Sequence, residues 1–174
     1  MIRAFLLFTD WTARISEFVA TVLLYAFCAM MLGEVFSRGF LNQSLAFSWE
    51  YSGFAMAGVF LLGLGPALRH GKQVRVTLLL SRGGPDFSRS IEIIATVVAI
   101  VLAVFMLEAF WTTFLTSFER GLRQPSYMNT PLAIPQSLAV AGAVEFVLAL
   151  MARLVRLVIR EEPELHETGE IAGD

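Results

Sequence analysis

The residues of this chain with chemistry within reach are its acids inside apolar runs and one basic cluster. Glu17 and Glu34 lie near opposite ends of one such run. Glu50 opens a second, Glu92 opens a third with Glu108 in its far half, and Glu145 sits deep in a fourth. A carboxylate in hydrocarbon is costly, so each is either a proton or ion site or the partner of a polar group on a neighbouring helix. The basic cluster is the stretch "RHGKQVRVTLLL", residues 69–80, in which Arg69, Lys72 and Arg75 fall within seven positions with no acid among them. Three settings would use it: a nucleic-acid patch, a catalytic cluster, or the charged boundary of a membrane.

The first two find no support. The net charge is −2, which does not suggest nucleic acid as a partner. Only His70 and His166 are present, neither inside an apolar run, so a bis-histidine haem has no ligands; Cys28 is the one cysteine, and a thiol redox pair or thiolate metal site needs more. No HExxH, GxSxG or glycine-rich phosphate loop occurs. The expectation is a protein that is not an enzyme and carries no cofactor, catalytic residue or metal ligand.

The membrane setting fits. The 174 residues are 56% hydrophobic and 16% charged, against about 25% charged in a soluble domain. Four stretches reach the roughly 20 apolar residues a transmembrane helix needs: about 15–36, 47–68, 91–112 and 131–152. The expected fold is an all-α integral membrane protein of four transmembrane helices occupying 1–160. The acidic tail 161–174, with Pro163 near its start, has little to bury and is expected to be mobile. Met1–Thr12 reads as an interfacial, partly amphipathic lead-in. Asp10, Trp11 and Arg14 follow its apolar residues without a small-residue cleavage site, so the first helix is expected to be retained.

Topology follows from the basic residues. Arg3, Arg14, Arg69, Lys72, Arg75, Arg82, Arg89, Arg153, Arg156 and Arg160 fall on one side of four spans, and Arg38, Arg120 and Arg123 on the other. Both termini are therefore expected in the cytoplasm. The cluster at 69–80 holds the second loop inside. Leu78, Leu79 and Leu80 follow it before "RGGPD", a pattern that suits a short interfacial segment whose basic side chains reach phospholipid headgroups.

If the fourth span ends near Arg153, Glu145 lies 8 residues in, about 12 Å along the helix and near the bilayer middle. A transport pathway collects polar groups at one depth, whereas these acids are scattered. A structural pairing is the expectation for Glu145, with a proton site as the alternative. Gly53 and Ala57, and Ala139 and Ala143, are small residues four apart. Such pairs let helices approach closely in lipid, either within the bundle or against a larger membrane partner.

Several segments together resemble one family. "GEVFSRGFLNQSLAFSWEYSGFAMAGVFLLGLGPALRHGKQVRVTLLL", residues 33–80, is similar to the small membrane subunit of TRAP transporters, the DctQ-type family. Arg38-Gly39-Phe40 resembles the Arg and aromatic residue that close the family's first span. Trp49-Glu50 resembles the Trp-Glu pair that opens the second, and "GKQVRVT" after Arg69 resembles the stretch that follows it. "TPLAIP", Thr130–Pro135, resembles the approach to the fourth. Thr77 stands where the family usually has Asp, and Tyr51 where a second Glu is frequent. The resemblance covers about residues 10–155.

It implies a subunit of a three-part secondary transporter in the bacterial inner membrane. In that family a periplasmic binding protein captures an organic anion, commonly a carboxylate, and a large membrane subunit carries it inward on a sodium gradient. The small subunit is implied to be a scaffold. On this reading Trp49 anchors in the outer headgroup layer. Glu50 suits the positive end of its helix and is placed to pair with Arg38 across the short loop. The competing reading is an autonomous four-helix proton-coupled carrier acting as a homo-oligomer, with Glu17 or Glu145 as its proton site.

Overall fold

A computed structural model of the chain describes residues 2–71, 85–126 and 128–159. Among them, four helices follow one another: α1 Ile2–Leu41, α2 Ala46–Arg69, α3 Pro85–Glu119 and α4 Ala133–Ile159. All four are long and apolar enough to cross a membrane. The expected short interfacial segment after the second helix, Lys72, Arg75 and the tail 161–174 lie outside the described residues.

The helices overrun the spans expected from hydropathy. With 40 and 35 residues, α1 and α3 extend about 60 and 52 Å, about twice the hydrocarbon thickness. The reason is local: neither Gly nor Pro occurs between Ile2 and Leu32, or between Phe87 and Glu119. From Ile2 onward the expected lead-in is therefore the start of α1, not a separate piece. Helix α4 continues past the expected 152 to Ile159 through an uninterrupted "LVRLVI".

The ends are set by backbone chemistry. Asn42 (φ 51°) follows α1, and Gly71 (φ 63°) and Gly121 (φ 58°) follow α2 and α3 in the left-handed region that terminates helices. After α3, the Leu122 N–H donates to the Ser117 carbonyl at 2.9 Å. Pro135 sits in the first turn of α4, where its missing N–H costs little.

Helices α2 and α4 run parallel at the centre. Matching contacts climb both together: Gly58 meets Leu138, Gly142 meets Leu61, and Gly65 meets Glu145. Helix α1 packs on α2 and to a lesser extent on α4, while α3 packs on α4 alone. The central contact is close because its residues are small. A Cβ on Gly142 would stand 2.7 Å from the Leu61 carbonyl carbon, and Ala143 is fully buried. Lipid tails are as apolar as leucine, so close packing of this kind is what holds membrane helices together. The flanking helices remain open, with Phe18, Tyr25, Phe40 and Phe105 exposed.

Candidate functional site

The alternating direction of the helices gathers the start of α1 and α3 and the end of α2 and α4 at one end of the bundle. There Asp10 of α1 accepts from two arginines. Arg69 Nε of α2 lies 3.0 Å from Asp10 Oδ1, and Arg156 Nη2 of α4 lies 2.7 Å from the same oxygen. One carboxylate thus ties three helices. Arg156 is 5% exposed, and a buried guanidinium is retained only where a carboxylate and hydrogen bonds offset its desolvation. Beside this node Arg153 and Glu92 lie 3.9 Å apart, joining α4 to α3. Arg89 of α3 donates to the carbonyls of Leu157 (2.9 Å) and Val158 (2.8 Å). A cation there also suits the negative end of α4.

Arg69, expected to anchor in headgroups with Lys72 and Arg75, instead turns onto Asp10; its side chain is 14% exposed. Position along the chain placed it at the boundary, and there the neighbouring α1 supplies it with a carboxylate.

The opposite end is organised by Glu34, which is 5% exposed. Its Oε1 accepts from Arg38 Nη2 at 2.6 Å and Ser44 Oγ at 2.7 Å. Its Oε2 accepts from the Leu45 N–H at 2.6 Å and Ser48 Oγ at 3.2 Å. Leu45 precedes α2 and has no side-chain cap of its own. A carboxylate from α1 does that work, satisfying an otherwise orphan N–H at the positive end of α2. Arg38 is therefore paired with Glu34, one helical turn away, and not with Glu50 across the loop as expected. The spacing of Glu34 and Arg38 is the i, i+4 arrangement that favours such a pair on one helix.

Trp49 is 65% exposed on the outside of α2. Glu50 is half-buried, and its Oε2 has no hydrogen-bond partner among the described residues. Its neighbour Tyr51 reaches the turn before α4, with its hydroxyl 3.2 Å from Thr130 Oγ1. The two small-residue pairs separate. Ala139 is half-buried and Ala143 fully buried in the bundle, but Ala57 is exposed, and a Cβ on Gly53 would meet nothing within 4 Å. The glycines that do pack, Gly58, Gly65 and Gly142, belong to stripes that face one another across α2 and α4.

Between the two charged ends lies Glu145, 5% exposed. Its carboxyl group occupies the space that a side chain at Gly65 would need. Its Oε2 has no hydrogen-bond partner among the described residues.

Sequence reasoning missed Asp10 and Arg156 as partners and Glu34 as a cap. Asp10 is the one acid ahead of Glu17, a signal that was available. Its arginines stand 59 and 146 positions away, and no spacing rule reaches that far.

What the arrangement can do is hold. Charges at each end lock helices to one another, and small residues let the two central helices touch. Among curated proteins, none matches the chain. Residues 27–160, from the middle of α1 to just past α4, match the family model described as tripartite ATP-independent periplasmic transporters, DctQ component. That span takes in the Glu34 cap, the close α2–α4 contact and the C-terminal arginines, so the chain belongs to the DctQ family and is the membrane-embedded small permease component of a TRAP transporter, a transport subunit and not an enzyme.

Proposed function

We propose that this subunit is a rigid membrane scaffold for the large transport subunit, in sodium-driven uptake of an organic anion such as a carboxylate. In this reading it sits in the bacterial inner membrane with both termini in the cytoplasm and binds neither substrate nor sodium. The observation that carries the reading is the contrast between a closed centre and open flanks. The α2–α4 contact leaves no room for a Cβ at Gly142, which would meet the Leu61 backbone, and lays the Leu138 and Glu145 side chains over Gly58 and Gly65, while the outer face of α2 presents Gly53 and Ala57 to its surroundings. Small exposed residues on a helix suit close approach by another membrane helix. The large subunit is assigned to that face. The exposed Trp49 is assigned to the outer headgroup layer, and the turn tied down by Tyr51 and Thr130 to transient docking of the periplasmic binding protein.

The test is co-purification with a tagged large subunit, using Gly53→Leu with Ala57→Leu. Both positions are open, so the isolated chain should unfold at the parent temperature while recovery with the large subunit falls. Full recovery would remove α2 as the contact face. Uptake into proteoliposomes by this chain alone would replace the scaffold with the autonomous carrier.

A further inference from the structure

The surface between α1 and α2 at the arginine-rich end of the bundle is a cleft. Its first part has a volume of about 230 Å³ and is walled mainly by apolar residues, Ala20, Leu24, Val59, Gly63 and Pro66, together with Glu17 and His70. Thr21 also lines it, with its hydroxyl donating to the Glu17 carbonyl at 2.7 Å. The cleft continues into a polar mouth of about 210 Å³ lined by Asp10, Arg14, Glu17, Arg69 and His70. Asp10 and Arg69 are engaged with one another. Arg14 is exposed, and the Glu17 side chain is 51% exposed with its carboxylate 3.4 Å from His70 Nε2. His70 Nδ1 is buried with no hydrogen-bond partner among the described residues.

We infer that this cleft is a binding site for one phosphatidylethanolamine molecule, with its phosphate at Arg14, its ammonium at Glu17 and an acyl chain along Gly63. The chemistry at the mouth has both signs within one turn of α1, a cation at Arg14 and an anion at Glu17. A headgroup with a phosphate and a primary ammonium complements both. Phosphatidylglycerol offers nothing cationic to Glu17. The choline headgroup carries its charge without an N–H to donate, and a hydrogen bond to a charged group is the stronger kind. Below the mouth, Gly63 has nothing within 4 Å of the place its Cβ would take, which leaves a smooth groove for a chain. The inference stands on α1 and α2 alone and does not depend on the contact assigned to Gly53 and Ala57.

The experiment uses the full chain in nanodiscs containing equal parts of phosphatidylethanolamine, phosphatidylcholine and phosphatidylglycerol, followed by native mass spectrometry of retained lipid. The parent should retain phosphatidylethanolamine over phosphatidylcholine by roughly tenfold, equivalent to about 1.4 kcal/mol. Glu17→Gln, at an exposed position, should bring that ratio to about one while leaving the unfolding temperature unchanged. Gly63→Leu should reduce retention of all three lipids, because its Cβ has open space around it and the rest of the side chain extends into the groove. Equal retention of the ethanolamine and choline lipids by the parent would overturn the inference. So would preference for phosphatidylglycerol, which would mean that Arg14 alone reads the headgroup. Unchanged selectivity in Glu17→Gln would overturn it as well.

Discussion

Gly142→Ala adds one methyl group where it would meet the backbone of a neighbouring helix. The new Cβ would stand 2.7 Å from the Leu61 carbonyl carbon and 2.9 Å from its Cβ and its oxygen. Those atoms belong to α2 itself and cannot swing aside like the end of a side chain. Ordinary carbon contacts need about 3.5–4.0 Å, so α2 and α4 must part locally by about 1 Å. A gap of that size removes about a quarter to a half of the attraction across each neighbouring contact. Overpacking in closed cores costs about 1–3 kcal/mol, and the gain of about 1 kcal/mol from replacing glycine inside a helix offsets only part. Because the clash is with backbone, the cost falls at the upper end of that range and the expected net loss is about 2 kcal/mol, or a fall of about 4–8 °C in Tm for a chain of this size. Gly53→Ala and Gly63→Ala make the same chemical change with nothing within 4 Å, and should leave Tm level or slightly raised. Thermal unfolding of the three purified variants in one detergent is the assay. If Gly142→Ala proves as harmless as Gly53→Ala, the close α2–α4 contact is wrong, and the account of how this bundle holds together fails with it.

Glu34→Ala should destabilise the chain by about 3 kcal/mol, since it strips the acceptor from the Leu45 N–H, Ser44, Ser48 and Arg38 together. Hydrogen exchange should rise first at the start of α2, and protection there equal to the parent would refute the cap. Asp10→Asn leaves Arg69 and Arg156 facing one another without their shared carboxylate. With Asp10 at 29% side-chain exposure, the expected cost is about 2 kcal/mol, below the full penalty for breaking a buried pair, and adding Arg69→Gln should cost less than the sum of the two single changes. Reporter fusions after Asn42 and after Arg123 should report the periplasm and one after Arg82 the cytoplasm; a periplasmic signal at Arg82 would overturn the proposed topology. Glu145→Gln keeps the shape that fills the space over Gly65, so sodium-driven uptake by the reconstituted complex should stay near that of the parent. Lost uptake in an intact complex would make Glu145 a coupling residue.

Much of this protein is local in origin and so could be read along the chain. Four apolar runs of membrane length follow from composition alone, because in lipid a helix satisfies its own backbone whatever its neighbours are. The gathering of basic residues in alternate loops set the expected topology, and the order of the Arg-Gly-Phe, Trp-Glu and Thr-Pro motifs led to the family, without any contact being known. Tertiary structure decided who meets whom. Arg69 and Arg156 meet at Asp10 because α2 and α4 run parallel and both end beside the start of α1. Glu34 became a cap because the four-residue turn from Asn42 brings the next helix back over it. Gly53 and Gly142 carry the same absence of a side chain in the sequence. One faces open space and the other faces a backbone, and that difference comes from the rotation of each helix about its own axis, which side-chain packing sets and residue spacing does not.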